Sequence, residues 1–148
     1  MIYVISNYLS NKPYYVCPDQ ATINAGIAAG YTGNFSIGVQ ADAQAILNTV
    51  QQNLLFACSD RFGVNKDIDA TEGITWQPVD LNTEPDNTDV SYQVFSTING
   101  SYTQTTGLDN AKALYAQVEQ DFLDFCNLGA LIEWESFPPL PTQGLQTL

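Results

Sequence analysis

The side chains of this chain that could do chemistry are carboxylates, amides and tyrosines; imidazole is missing altogether. General acid-base catalysis draws on histidine more than on any other side chain, and Ser-His and Cys-His nucleophile pairs require it. No Gly-x-x-x-x-Gly-Lys run cradles a phosphate, and Gly26, Gly30, Gly33 and Gly38 are too scattered for a dinucleotide loop. Oxygen-rich clusters remain. Asp80, Asn82, Glu84 and Asp86 set ligands at alternate positions, as a calcium loop does, but Pro85 stands where the sharp-turn glycine belongs and Ser91 where the bidentate glutamate belongs. Asp67, Asp69 and Glu72 form a second acidic cluster. Both read better as solvated loops than as cation sites. Glu133 and Glu135 are a carboxylate pair of the kind a glycosidase uses, yet nothing in the sequence sets them across a sugar, and charges at alternate positions of an edge strand block further strand pairing. Tyr3, Tyr8, Tyr14, Tyr15, Tyr31, Tyr92, Tyr102 and Tyr115 could line a carbohydrate site, although such tyrosines more commonly serve a core or an interface with the hydroxyl kept wet. The expectation is a chain with no cofactor, no metal and no enzymatic turnover.

Charge narrows the partners. The net charge is −12, with Lys12, Arg61, Lys66 and Lys112 the only basic residues. Such a chain cannot neutralise a row of phosphates, so neither a nucleic acid nor an anionic membrane is an expected partner. Charged residues make up 14% of the sequence, below the usual ~25%. Polarity is carried by amides and hydroxyls, which suits wide contacts with other protein chains because few charges need desolvating. The plainer alternative is a proteome-wide scarcity of lysine. Cys17, Cys58 and Cys126 form no Cys-x-x-Cys pattern and read as buried free thiols of a reducing compartment, with one long-range disulfide plus a spare as the alternative.

The elements that must position these groups are legible in outline. Length and a 45% hydrophobic content give one domain over residues 1–131 with a real core. No run approaches the ~20 apolar residues of a membrane span, and the first residues, Met1 to Ser6, read as a strand rather than a signal peptide. Ile2–Ser6 and Pro13–Cys17 predict two strands, and Asp19 caps a helix that Gly30 stops. Gly26 weakens that helix by roughly 1 kcal/mol against alanine. A loop with a short strand at Phe35–Val39 leads to a second helix from Ala41 to Cys58, with Ile46, Leu47, Val50, Leu54 and Ala57 as its buried stripe. Phe62–Ile68 and Ile74–Val79 predict a hairpin, with Trp76 as a core or interface anchor. The clearest stretch is 90–128. Tyr92, Val94 and Ser96 alternate with Gln93, Phe95 and Thr97; Asn99-Gly100 is the signature of a two-residue type I′ turn; and Leu114, Val118, Phe122 and Phe125 recur at helical spacing behind Asp109 or Asn110 as N-cap. Gly129 is the expected helix stop. Hairpin followed by Asp-capped helix occurs twice, from Ile2 up to the stop at Gly30 and from Tyr92 to Phe125, which reads as two uses of one supersecondary unit. The fold class is therefore α+β: two β-hairpin–helix units, an additional helix and hairpin, and an extended C-terminal arm over 132–148.

That arm carries the expected partner-binding residues. Phe137-Pro138-Pro139-Leu140-Pro141 must be extended, because proline fixes φ and removes donors. With Trp134 at its root, the arm offers Phe137, Pro138, Pro139, Leu140, Leu145 and Leu148 to pockets on a neighbouring subunit. The plainer alternative is a disordered end.

The short, acidic, lysine-poor, Asn/Gln/Thr-rich texture, with Tyr92-Gln-Val-Phe-Ser and Gly107-Leu-Asp-Asn-Ala-Lys-Ala, resembles the small structural proteins of tailed bacteriophages, particularly those infecting marine cyanobacteria. The resemblance implies a virion component made in the host cytoplasm: a capsid decoration, neck or tail accessory, or fibre-attachment piece that binds other virion proteins and associates with itself. It brings no active-site motif, so no functional residue is carried over. Deletion from Pro138 onward is expected to leave the domain folded and to abolish incorporation into particles. The alternatives are a glycan- or small-ligand-binding module that uses its tyrosines, and an acidic inhibitor that presents residues 80–89 to a basic host protein.

Overall fold

The computed structural model describes residues 1–58, 63–68, 73 and 75–140. In chain order the elements are β1 (Ile2–Ile5), β2 (Tyr14–Cys17), α1 (Gln20–Ala28), β3 (Asn34–Ile37), α2 (Gln40–Ala57), β4 (Val64–Asp67), β5 (Trp76–Pro78), β6 (Ser91–Ser96), β7 (Ser101–Thr106), α3 (Leu108–Phe125) and β8 (Ile132–Trp134). The class is α+β, with two four-stranded sheets. The chain divides into two compact units: Met1–Leu54 with Cys126 onward, and Leu55–Phe125. Expectations that fall on Arg61, Phe62, Asp69 to Glu72, Ile74, Leu145 and Leu148 lie outside the described residues.

The first unit holds the sheet β3-β2-β1-β8. β1 pairs antiparallel with β2 and with β8, and β2 pairs parallel with β3 across the α1 crossover. Asp19 caps α1 as expected: its Oδ1 accepts the Thr22 N–H at 2.8 Å and the Thr22 hydroxyl at 2.7 Å. These two bonds hold the Asp19 carboxyl below the usual carboxylate range. Gly30, at φ +95°, ends the helix. The N–H of Gly30 donates to the Ile27 carbonyl and that of Tyr31 to the Gly26 carbonyl, the paired bonds of a Schellman stop. The helix end thereby sets the direction in which Tyr31 leaves it. In α2 the buried positions are Ala43, Leu47, Val50 and Leu54. The stripe starts one turn earlier than the sequence suggested, with Ile46 only half-buried and Ala57 exposed.

The second unit holds the antiparallel sheet β5-β4-β6-β7. β6 alternates as predicted, and its inward residues Tyr92 and Val94 are fully buried with Val64, Leu81, Leu108, Ala111 and Val118. Four local expectations are corrected. The β6–β7 connection is a four-residue loop rather than a two-residue type I′ turn: Gly100 has φ +66° but Asn99 does not have positive φ, and the Gly100 N–H donates to the Ser96 carbonyl at 2.8 Å. Only one residue needs the left-handed region, so the Asn-Gly signal named the hairpin and missed its loop length. α3 begins at Leu108, which puts Asp109 in the first turn instead of at the cap; Gly107, at φ +90° and packed against the Thr88 backbone, makes the entry. Asn127, at φ +57°, takes the left-handed position two residues beyond α3, ahead of Gly129, because asparagine tolerates it nearly as glycine does. Phe125 is 69% exposed and falls outside the buried stripe. Trp76, on edge strand β5, is half-buried.

Candidate functional site

The root of the arm is built into the first unit. β8 brings Trp134 opposite Ile2, and the chain then lays Phe137 over the face of the sheet that α1 covers. Five rings meet there. Tyr15 on β2 stacks on Phe35 of β3 with centroids 5.0 Å apart, and Tyr31 meets Phe137 at 4.9 Å. Phe137 also lies 5.7 Å from Tyr15, 6.2 Å from Phe35 and 6.3 Å from Trp134. Ring pairs at these spacings add to the free energy of apolar burial. The Tyr31 hydroxyl donates to the Pro138 carbonyl, and Leu140 reaches Gly30.

The expected partner-binding residues are thus placed in three groups. Trp134 and Phe137 are packed against Tyr15, Tyr31 and Phe35 of their own unit. Pro138 is half-buried by its bond to Tyr31, while Pro139 and Leu140 are exposed. Leu145 and Leu148 lie outside the described residues. A deletion from Pro138 would therefore remove the acceptor of the Tyr31 hydroxyl and the Leu140–Gly30 contact, both part of the unit's own packing. Sequence reasoning missed the seat that receives the arm. Its signal was present in Gly26, a glycine inside a helix that alanine would otherwise stabilise.

The arm crosses towards β3, one edge of the sheet. Asn34 donates its N–H to the Pro13 carbonyl and Gly38 to the Cys17 carbonyl, so strand alternation turns the N–H and C=O of Phe35 and Ile37 away from β2. Among the described residues no strand covers that side. β3 carries no charge and no proline, whereas the opposite edge, β8, carries Glu133 with Glu135 following. In the second sheet β5 carries Pro78 and β7, six residues long, carries neither device.

The acidic loop does not gather its oxygens on a cation. Glu84 accepts from Lys66 Nζ at 3.0 and 3.1 Å, and its Oε2 also accepts the Tyr92 hydroxyl at 2.9 Å. Asn87 Nδ2 donates to the Tyr92 oxygen at 2.7 Å. Asp80 Oδ1 caps the Asn82 N–H at 2.9 Å. Glu84 is therefore a structural acceptor under the hairpin. Among the described residues no three cysteine or acidic side chains come together as metal ligands.

A cavity of about 1010 Å³ opens in the second unit, with Asp80, Asn82, Lys112, Tyr115 and Glu119 in its lining. Burial raises the Glu119 carboxyl above its ordinary range. Burial first, and then the charges of Glu119 and Asp80, raise the Tyr115 phenol. These groups can hydrogen-bond a polar ligand; they form no nucleophile–base pair. A second cavity, of about 470 Å³, lies in the first unit beside Leu9, Tyr14, Ile46 and Val50. Cys17 and Cys58 are free thiols, and burial, with Asp19 adding to it, raises the Cys17 thiol, which keeps it protonated and unreactive.

No protein-family model, curated protein or solved structure matches this chain.

Proposed function

We propose that this chain is a structural subunit that works by protein–protein contact within a repeated assembly, of the kind the tailed-phage resemblance implies. One observation carries the proposal: among the described residues β3 and β7 are sheet edges that no strand covers and that carry neither charge nor proline, in a chain of net charge −12. Isolated proteins guard such edges with lysine, proline or inward charge, because an unguarded edge templates further pairing. Here two edges are guarded in that way and two are not. The neutral amide-rich surface supports the same reading, since two strongly acidic copies can approach only through uncharged stretches.

The test is mass spectrometry of purified phage particles, with copy number, followed by incorporation of a chain ending at Leu140. That truncation keeps Phe137, Pro138 and Leu140 in place. Presence in many copies, and a folded truncation left out of particles, is the expected result; absence from particles removes the proposal.

The cavity beside Tyr115 favours a second reading, a module that binds a small polar ligand or glycan. A chain that stays monomeric and gives a specific glycan-array signal, lost on Asp80→Asn, would replace the assembly reading with this one.

A further inference from the structure

We propose that residues 142–148 of one copy add as a strand to the open edge of β3 in the next copy. This rests on the assembly reading and names the contact that makes it. The acceptor is defined by its backbone. Phe35 and Ile37 turn two N–H groups and two carbonyls outward, at the end of the sheet that lacks a charged guard. Ile37 is 58% exposed and Val39 66% exposed, so apolar side chains flank the free hydrogen-bonding row. Strand addition draws its affinity from the main chain and its choice of partner from alternate side chains, and β3 offers both. β7 offers one exposed apolar side chain, Tyr102, which already packs on Phe95, beside the polar Gln104 and Thr106.

The donor is defined by where the described chain ends. Trp134 and Phe137 are used inside their own unit, and the last contact is Leu140 on Gly30. Pro138 and Pro139 keep that exit extended. Beyond it lie Thr142, Gln143, Gly144, Leu145, Gln146, Thr147 and Leu148, with no charge and no proline to prevent pairing. Seven extended residues span about 23 Å, more than the four-residue β3 requires. Each copy carries −12, and both partners in this contact are uncharged. Repeated in one direction the contact builds a ring or filament, and exchanged reciprocally between two copies it closes a swapped pair.

Two variants separate donor from acceptor. Deletion of 142–148 leaves an acceptor only. Ile37→Pro leaves a donor only, and because the Ile37 N–H points away from β2, the proline removes no bond of the existing sheet. Light scattering after size exclusion is expected to show self-association of the full chain, weakened about tenfold or more in each variant, with unchanged circular dichroism. Mixing the two variants is expected to restore a one-to-one complex. A mixture that stays monomeric overturns the proposal. So does an Ile37→Pro chain that still associates, or a loss of association on Gln104→Pro in β7 instead, where the N–H likewise points away from the neighbouring strand. A full chain that is monomeric, with Phe35 and Ile37 amides protected from exchange only while 142–148 is present, would place the segment on its own β3 and overturn the contact between copies. If these results fail while the chain is found in particles, the assembly reading stands and only this contact falls.

Discussion

The Phe137 ring lies so close over Gly26 that a Cβ built there would stand 2.5 Å from the ring Cζ and 2.6 Å from Cε2. The helix tolerates a residue of poor propensity because the arm needs the space. Tyr15, Tyr31 and Trp134 surround the same ring, so it has little room to move aside.

The substitution Gly26→Ala therefore sets two effects against each other. Helix propensity would gain roughly 1 kcal/mol, and overpacking would cost about 1–3 kcal/mol. The expected outcome is net destabilisation in urea unfolding. In a Phe137→Leu background, where the ring is gone, the sign should reverse, and the difference between backgrounds measures the contact. Stabilisation by Gly26→Ala in the wild-type background would show that the ring does not sit there.

Glu84 ties Lys66 on β4 to Tyr92 on β6, and its side chain is 11% exposed. Glu84→Ala leaves a cation and a buried hydroxyl short of their acceptor, and should destabilise by about 1.5–3 kcal/mol. Tyr92→Phe removes two bonds, the one donated to Glu84 and the one accepted from Asn87, and should cost about 1–3 kcal/mol. The double mutant should cost less than the sum. Chemical denaturation of the four proteins reads this directly.

In the β6–β7 loop, Gly100 alone takes positive φ. Gly100→Ala should cost about 1–2 kcal/mol, whereas Asn99→Ala should change stability by less than about 0.5 kcal/mol. Equal losses at both positions would indicate a two-residue turn after all.

Two carboxyls give opposite pH signatures. Asp19 is held low by its Thr22 bonds, so its contribution is present above the ordinary aspartate range and is lost as pH falls through the lowered value. Asp19→Ala should thus lower Tm at neutral pH, with the gap closing in acid. Glu119 is raised by burial, so ionising it opposes folding as pH rises through the raised value. Glu119→Gln should raise Tm at neutral pH and leave it unchanged below the ordinary glutamate range. Thermal melts across pH 2 to 8, about the span of both transitions, compare the three chains.

Local chemistry made much of this fold readable. Asp19 and Gly30 bracket α1 because capping and left-handed stops depend on residues a few positions apart. Alternation in Tyr92, Val94 and Ser96 located the most regular strand for the same reason. What stayed hidden was long-range. Nothing near Trp134 announces that its strand pairs with Ile2 and its neighbours, and nothing near Phe137 names Gly26 as its seat. The arm was visible as stiff and apolar, but its division into a buried root and a remainder depends on contacts more than a hundred residues apart in sequence. The open edge of β3 could not be read at all, since an edge is a property of sheet order.

That sheet order also governs when the protein can fold. Every residue of the second unit is contiguous and leaves the ribosome before Cys126. The first unit has its opening strands early, yet β1 waits for β8, and Tyr15 and Tyr31 wait for Phe137, until more than a hundred further residues have been made. A chain cut after Phe125 would keep every strand and helix of the second unit but leave Tyr15, Tyr31 and Phe35 without Trp134 and Phe137, an aromatic face still wet and prone to aggregate.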